Sequence, residues 1–272
     1  MHQLEQVAAL PGVEAVAAMP DLHPGKYGPV GCAILADRIY PQFVGSDIGC
    51  GMGLFRLDVP DRKLRLDKLA ERIRSLGAPW DGNFQTAIAG AGLSPTAFDV
   101  SLGSIGGGNH FCEFQMIDQI IAPDAAASAG LDPASAYLLV HSGSRGFGHA
   151  ILERHLARGG ATLDLESEAA ACYLAEHDRA VRWARLNRQI IAERAADAAR
   201  ADFALIADLS HNLMELQPSG SSPAKVLHRK GGVIGSWACA GAGVSWHAVL
   251  SRRASGGGAS GNASVIGPWC RP

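Results

Sequence analysis

An aspartate and a cysteine stand three residues apart in the glycine-rich stretch VGSDIGCGM, residues 44–52. Asp47 offers a hard carboxylate oxygen and Cys50 a soft thiolate, a mixed pair that suits a borderline divalent metal better than calcium or magnesium. The surrounding glycines allow positive φ angles and a close approach of the backbone to a ligand. The stretch therefore indicates part of a metal site, whose other ligands must come from elsewhere in the chain.

Three histidines occupy similar positions, beside loops of glycine or small residues. His110 ends the run GSIGGGNH, whereas His141 and His211 each follow an apolar run. A lone histidine on an apolar strand is more often a core residue, so the repeated placement is the informative feature. Together with Asp47 and Cys50 they exceed the four ligands of a closed structural zinc site, and they suit an open catalytic centre or two ions bridged by the thiolate. Ligand chemistry alone ranks zinc first, followed by manganese, iron and cobalt.

Charged residues near these loops are candidates for phosphate contacts. The motif PDLHPGK contains Asp21, His23 and Lys26, for which a substrate contact and a solvated turn are equally good explanations. The glycines before His110 can present backbone N–H groups as an anion-binding nest. The basic cluster HRKG, which ends at Gly231, either binds phosphate or faces solvent.

Length and composition set broad limits. The chain has 272 residues, a net charge of -2 and 47% hydrophobic residues, enough for one large domain or two modest ones. Any nucleic-acid binding must therefore rest on a local basic patch. Neither a signal peptide nor a long apolar run is evident, so we expect a cytoplasmic protein without membrane association. The six cysteines form no CxxC pair, which argues against disulfides, and we expect Cys32, Cys112 and Cys172 to be small core residues.

Hydrophobic periodicity predicts a mixture of strands and helices. A loop is expected at residues 20–26, and strands are expected to flank the stretch that contains Asp47 and Cys50. The predicted strands are 13–19, 30–35, 54–57, 111–117, 137–141 and 203–210. The predicted helices are 64–77 and 165–198.

Six stretches of the chain resemble, in order, the motifs of the RtcB RNA ligases. They are MPDLHPGK (19–26), VGSDIGCGM (44–52), LGSIGGGNHFCE (102–113), LLVHSGSRG (138–146), HNLMEL (211–216) and HRKG (228–231). The sequence PDLHPGKYGPVG is most similar to the branch of the family that is coupled to a peptide-chain release factor. The resemblance covers roughly residues 15 to 231 and implies a mixed α/β fold, peculiar to that family, around a central metal cleft.

The resemblance also implies a reaction. Enzymes of this family join an RNA 3′-phosphate or 2′,3′-cyclic phosphate end to a 5′-hydroxyl end, in RNA repair or tRNA splicing, with GTP and two Mn²⁺ ions. The cyclic phosphate is opened, a histidine takes GMP from GTP, the GMP passes to the 3′-phosphate, and the 5′-hydroxyl displaces it. We therefore expect RNA with such ends as the partner, and a functional link to a release factor.

Individual residues match the family's functional positions. The implied metal ligands are Asp47, Cys50, His110, His141 and His211, of which Cys50 and His110 are also the expected catalytic residues. The implied contacts to the guanine nucleotide are Asn109, His110, Phe111, Cys112, Glu113, His211 and Asn212. The expected contacts to phosphate or RNA are Asp21, His23, Lys26, Arg145, Arg229 and Lys230.

The sequence departs from the family's pattern after Gly231. Family members continue through a PGS segment to an SxHGAGR-like motif that carries the guanylylated histidine, and residues 232–272 match neither. These residues contain no Asp, Glu or Lys but three of the five tryptophans. We therefore expect residues 1–231 to be a catalytic region that lacks the C-terminal part of the fold, and 232–272 to be a disordered or out-of-frame tail. The alternative function is a truncated metal-binding homologue without ligation activity, which retains cyclic-phosphate hydrolysis or RNA-end binding.

Overall fold

The computed structural model describes residues 2–60, 64–160, 162–217, 223–231, 244–253 and 263–264. The chain divides into two compact units. The first unit comprises Met1–Cys50, Gly143–Ala184 and Ser210–Val233, and the second comprises Gly51–Ser142, Arg185–Leu209 and Ile234–Pro272. Helices combined with antiparallel sheets confirm the expected α/β class.

The first unit is built on a four-stranded antiparallel sheet with the strand order β1-β2-β10-β9. Its strands are β1 (Val13–His23), β2 (Val30–Ala36), β9 (Leu213–Gln217) and β10 (Lys225–Lys230). Two short strands, β3 (Arg38–Ile39) and β7 (Leu163–Asp164), pair separately. The helices are α1 (His2–Ala8), α2 (Pro41–Val44), α6 (Gly146–Ala157) and the first part of α7 (Glu168–Ala199).

The second unit contains a six-stranded sheet with the strand order β12-β11-β5-β6-β4-β8. Its strands are β4 (Gly51–Pro60), β5 (Phe111–Ile120), β6 (Ser135–Ser142), β8 (Phe203–Ser210), β11 (Val244–Arg253) and β12 (Ala263–Ser264). The helices are α3 (Leu66–Arg72), α4 (Phe84–Gly90), α5 (Pro123–Ser128) and the last part of α7, with 3-10 turns at Ile73–Gly77 and Asp99–Ser101.

Strand β6 is the centre of this second sheet. It pairs with β5 on one side and with β4 on the other. Its burial from Ala136 to Ser142 is continuous because alternate residues pack into two apolar clusters, with Leu138 and Val140 in one and Tyr137 and Leu139 in the other. A strand covered on both faces requires apolar residues without alternation, which explains the run AYLLV. His141 follows that run directly and lies opposite both Phe111 of β5 and Met52 of β4.

A buried histidine of the first unit has a structural role. His228 of β10 is 1% exposed, and its Nε2 accepts the backbone N–H of Tyr40 at 2.9 Å. Its Nδ1 lies 3.3 Å from the carbonyl oxygen of Ile34, so the neutral tautomer with a proton on Nδ1 satisfies both contacts. Burial lowers the pKa of His228 to about 4, which favours this neutral form.

Two local expectations were wrong. The chain from Pro20 to His23 is the end of β1 and not a loop. Proline is tolerated there because β1 is an edge strand, and the pairing with β2 is irregular between Ala18 and His23. The stretch with Asp47 and Cys50 is preceded by the short helix α2 rather than by a strand; Pro41 suits its first turn.

The predicted long helix is confirmed as α7, with a different role for one cysteine. Trp183 and Ile190 are buried as its inner face, but Cys172 is exposed. The helical period places Cys172 on the same side of α7 as Trp183, but the buried face is narrower in the first turns of the helix, where Ala170, Tyr173 and His177 form it. Cys32 and Cys112 are buried as expected. Within the described ranges no helix, α7 included, combines the length and the apolar character that a membrane crossing needs.

Part of the segment after Gly231 is regular. Val244–Arg253 forms β11, which pairs with β5 in antiparallel fashion. The run VSWHAVL alternates apolar and other residues at its start. This two-residue period is typical of a strand, and the expectation of an irregular tail overlooked it. Most of the remaining tail lies outside the described residues, so its predicted disorder or frameshift origin stays a prediction.

Candidate functional site

The loop between α2 and β4 positions Asp47 and Cys50. The backbone N–H of Cys50 donates to the carbonyl oxygen of Asp47 at 3.1 Å, which closes a tight turn. Gly49 within this turn has φ +76°, and a Cβ atom there would lie 2.8 Å from the Cα atom of Val181. Glycine is therefore required both for its backbone angle and for the close approach of α7. The resulting turn brings the ligand atoms of Asp47 and Cys50 within 4.8 Å of each other.

Backbone hydrogen bonds bring His211 to the same loop. The N–H groups of His211 and Asn212 both donate to the carbonyl oxygen of Cys50, at 2.7 and 3.2 Å, and Gly49 N–H donates to the carbonyl of Asn212 at 2.7 Å. His211 Nε2 then lies 3.3 Å from Cys50 Sγ. We call Asp47, Cys50 and His211 the Cys50 cluster; all three belong to the first unit.

Cys50 and His211 fit a divalent transition metal. Cys50 and His211 are 4% and 7% exposed, so a bound ion would be shielded from bulk water by the protein. A tetrahedral ion bound to a thiolate and an imidazole holds the sulfur and nitrogen about 3.6 Å apart, close to the separation seen between Cys50 and His211. The combination of thiolate, imidazole and carboxylate excludes neither zinc nor manganese.

Two further residues surround the Asp47 side chain. A Cβ atom at Gly143 would lie 2.2 Å from Asp47 Oδ1, so this glycine leaves the space that the carboxylate occupies. Arg145, at the start of α6, has φ 59°. Burial lowers the pKa of Arg145, while the negative charges of Asp47 and Cys50 act in the opposite direction. The expected phosphate contact Arg145 thus lies in the electrostatic field of two predicted metal ligands.

The second unit brings His110 and His141 together. His110 directly precedes β5, and its ring centroid lies 5.0 Å from that of His141 with an interplanar angle of 81°. Both side chains are buried, with 6% and 3% exposure. His141 Nδ1 lies 3.1 Å from the carbonyl oxygen of Asn109. A proton on Nδ1 would leave the lone pair on Nε2, the arrangement that metal-binding histidines commonly show.

A polar network that we did not predict supports His141 from the neighbouring residue. The hydroxyl of Ser142 donates to the carbonyl oxygen of Ile105 at 2.8 Å and accepts from Asn187 Nδ2 at 3.1 Å. Asn187 Oδ1 also accepts the backbone N–H of Gly103 at 2.7 Å. These bonds connect the glycine-rich loop before His110 to the end of β6 within one unit.

Arg188 continues this network and is fully buried. Its Nη1 donates to the carbonyl oxygen of Ser142 at 2.8 Å, and its Nε and Nη2 donate to Asp208 at 2.9 and 2.5 Å. Asn187 and Arg188 both fall on the inner stripe of α7, together with Ala184 and Ile191. Polar residues on an otherwise apolar helical stripe were the sequence signal that could have identified them.

The expected nucleotide contacts differ in accessibility. Asn109 is exposed and Phe111 is half-buried, whereas Cys112 is fully buried and burial raises its pKa. Cys112 is thus suited to contact a ligand only through its backbone. Glu113 is 6% exposed and accepts a hydrogen bond from Gln115 at 3.3 Å.

Asn212 also stabilises the loop that contains Asp47 and Cys50. Its Nδ2 donates to the carbonyl oxygen of Asp47 at 3.2 Å, and its Oδ1 accepts the N–H of Gly231 at 2.7 Å. A contact from Asn212 to a nucleotide would therefore have to coexist with this structural role.

The other expected phosphate contacts fall into three environments in the first unit. Asp21 and His23 are exposed at the end of β1. Lys26 and Lys230 approach one ring, with their Nζ atoms 4.9 and 5.9 Å from the centroid of Tyr27. Burial lowers the pKa of Lys230.

Arg229 is already paired. Its Nη2 lies 2.9 Å from Glu215 Oε2, and both side chains are partly exposed. A phosphate contact by Arg229 would require it to leave or share this partner, so Lys26 and Lys230 are better placed for that role.

Comparison with known proteins identifies the family. A family model described as tRNA-splicing ligase RtcB matches residues 3–86 and 94–237. The chain belongs to the RtcB family. This confirms the resemblance inferred from the motifs.

Named relatives show how far the similarity extends. RNA-splicing ligase RtcB2 from Escherichia coli is 43% identical over 233 residues, which are 85% of this chain and 61% of the relative. RNA-splicing ligase RtcB from Mycobacterium tuberculosis is 30% identical over 304 residues, covering 84% of this chain and 70% of the relative. For tRNA-splicing ligase RtcB from Thermococcus kodakarensis the identity is 25% over 309 residues, covering 85% and 64%. The chain thus spans 61% of the length of the Escherichia coli relative.

Proposed function

We propose that the chain carries the metal-binding catalytic region of an RNA ligase that uses GTP and Mn²⁺. The reaction joins RNA 3′-phosphate or 2′,3′-cyclic phosphate ends to 5′-hydroxyl ends. The observation that carries this proposal is the buried Cys50–His211 pair, with Asp47 beside it, formed by two separate family motifs. Its support is the RtcB family membership, since the relatives named above are RNA-splicing or tRNA-splicing ligases.

The proposed metal ligands are Asp47, Cys50, His110, His141 and His211. We propose two Mn²⁺ ions, because the family resemblance implies manganese where ligand chemistry alone would favour zinc. When bound, such ions neutralise phosphate charge and make the leaving group easier to expel.

The side chains of the chain itself would bind and orient the substrates. Lys26, Lys230 and Arg145 are proposed to contact phosphate oxygens through charge-assisted hydrogen bonds. We propose that the guanine nucleotide contacts Asn109, Glu113 and Asn212 together with the adjacent backbone and histidines. Cys50 and His110 are the proposed catalytic residues, since each would bind an ion next to the reacting phosphate.

The biological setting follows from the same proposal. RNA with the end chemistry above is the proposed partner, in RNA repair or tRNA splicing in the cytoplasm. A functional link to a peptide-chain release factor is proposed from the sequence of the PDLHPGKYGPVG motif.

The proposal is tested by nucleotidyl transfer and by ligation. The purified chain is incubated with GTP labelled in its α-phosphate and with Mn²⁺, and an acid-labile protein–GMP bond is sought. In parallel, an RNA with a 3′-phosphate and an RNA with a 5′-hydroxyl are supplied as substrates. Because residues 232–272 lack the family's guanylylated-histidine motif, ligation by this chain requires another of its histidines to accept GMP. The adduct and the joined RNA should then form with the unchanged chain and with Cys172→Ser, and neither with Cys50→Ala. Formation of neither product by a chain that demonstrably binds Mn²⁺ would refute ligation.

One observation favours a second candidate function. Residues 232–272 match no motif for the guanylylated histidine, and the family match ends at residue 237. A metal-binding homologue without ligation activity would hydrolyse a 2′,3′-cyclic phosphate or only bind RNA ends. In that case metal-dependent conversion of the cyclic phosphate to a monophosphate would proceed without GTP, and no protein–GMP bond would form.

A further inference from the structure

The second unit contains a pocket with four cationic side chains. Its volume is about 230 Å³. The pocket, called the basic pocket below, is lined by Leu64, Arg65, Lys68, Leu69, Arg72, Ala198, Ala199 and Arg200. None of these residues belongs to the proposed metal, nucleotide or phosphate contacts.

Helix α3 carries two of the cations on one face, and a third directly precedes it. With 3.6 residues per turn, Lys68 and Arg72 lie roughly 40° apart around the helix axis, and Arg65 is the residue before the helix begins. The acidic residues of α3, Asp67 and Glu71, are centred roughly 100° around the axis from this pair. Neither acidic residue lines the pocket, so these side chains leave it positively charged.

The fourth cation comes from the end of α7, where the backbone is unusual. The N–H of Ala201 donates to the carbonyl oxygen of Ala196, which closes the helix, and Arg200 then adopts φ 58°. Glycine is the usual residue at such a left-handed helix end because it has no Cβ atom to clash. An arginine at this position is a strained choice for a helix end, and strain of this kind is concentrated at functional sites.

The positive charge of the basic pocket is not neutralised within it. No carboxylate lines the pocket. In the part of the chain that the structure describes, Arg65, Lys68 and Arg200 form no ion pair. Arg72 donates from Nη1 to the carbonyl oxygen of Ala198 at 3.0 Å. The partial negative charge of a helix C-terminus, about half an elementary charge, accounts for one of these cations but not for four.

We propose that the basic pocket binds the phosphodiester backbone of RNA. Guanidinium and ammonium groups bind phosphate oxygens through charge-assisted hydrogen bonds, and the aliphatic parts of the side chains pack on the apolar floor formed by Leu64, Leu69 and Ala199. Such contacts hold and orient the strand without reading its bases. The identity of the ligand as RNA rests on the proposed function, whereas the anion chemistry rests on the pocket.

Two variants test the pocket with a short single-stranded RNA that carries no terminal phosphate. Lys68→Gln removes one exposed charge, and Arg200→Gly removes another while relieving the backbone strain. The control is Arg182→Gln, which removes an exposed charge of α7 from the first unit. Affinity is measured by fluorescence anisotropy of the labelled RNA with the full chain over a range of chloride concentrations.

Each pocket variant should bind RNA more weakly and with a smaller salt dependence. Loss of one phosphate contact lowers the slope of log K against log salt by about 0.7, which corresponds to about fivefold weaker binding at 0.1 M salt. Arg182→Gln should leave both quantities unchanged. Arg200→Gly should have a higher melting temperature than the unchanged chain, so weaker RNA binding by this variant cannot result from unfolding.

Several results would overturn the proposal. The first is that the unchanged chain binds no RNA. The second is that the pocket variants have the same salt slope as the unchanged chain. The third is that Arg182→Gln loses as much RNA affinity as the pocket variants do. Inorganic phosphate at matched ionic strength tests a free-anion site: a change in phosphate binding without a change in RNA affinity would refute the RNA proposal. If the chain is not labelled by GTP and does not ligate RNA, but still binds RNA through the basic pocket, the proposed function is refuted and the pocket proposal is not.

Discussion

Replacement of Arg188 by methionine tests the buried network that supports the end of β6. The guanidinium group is fully buried, and its hydrogen bonds include two to the Asp208 carboxylate and one to the carbonyl oxygen of Ser142. Methionine has a similar length and no charge, so Arg188→Met leaves the carboxylate and the carbonyl without this donor.

The magnitude follows from the burial of the pair. Asp208 has a side-chain exposure of only 12%, and its other cationic neighbour, Arg185, lies 3.9 Å away with 54% exposure. Removal of one member of a buried ion pair costs about 3–5 kcal/mol, because the remaining charge stays desolvated. Since whole proteins are stable by about 5–15 kcal/mol, Arg188→Met should remove a large part of the free energy of unfolding.

Arg185→Met is the matched control. It removes an arginine near the same carboxylate, but an exposed pair contributes only about 0–1 kcal/mol. Addition of Asp208→Asn to Arg188→Met should restore part of the lost stability, since the buried uncompensated charge is then absent.

Urea unfolding followed by circular dichroism and by tryptophan fluorescence measures these changes. Two probes are needed because the chain has two compact units. The reasoning would be refuted if Arg188→Met and Arg185→Met lowered the free energy of unfolding equally, or if Asp208→Asn made Arg188→Met less stable still.

Three further predictions concern the Cys50 cluster and one buried histidine. Cys50→Ala should weaken divalent metal binding by more than about tenfold in isothermal titration calorimetry, whereas Cys172→Ser should bind as the unchanged chain does, because its side chain is exposed and outside the cluster. Gly143→Ala should also weaken metal binding, with little loss of stability, since its Cβ atom would displace the Asp47 carboxylate rather than backbone; an unchanged affinity would contradict that geometry. Because the pKa of His228 is lowered to about 4 from 6.5, its contribution to stability is complete above pH 6.5 and is lost as the pH falls toward 4, on the order of 3 kcal/mol in total. His228→Gln should reduce this pH dependence in urea unfolding, and an identical pH dependence in both proteins would show that His228 does not cause it.

The chemistry of the candidate site was evident from the sequence. Asp47, Cys50 and His211 can be predicted as metal ligands because their side chains are of metal-binding types and they lie in or beside glycine-rich or small-residue loops, where a ligand can approach closely. The strands around His141 and the long helix α7 were also predictable, since hydrophobic periodicity depends on local chain geometry. The family follows from the order of the motifs, which the comparison confirms.

The supporting residues became evident only in the tertiary structure. The helical stripe separates Arg188 from the exposed Arg185, but the sequence does not reveal its partners Ser142 and Asp208, which are 46 and 20 residues away. The edge position of β1, which lets the strand continue past Pro20, depends on the order of strands in the sheet. Side-chain types and local periodicity are properties of the chain itself. Which polar groups are buried, and with which partners, is decided only when distant segments pack together.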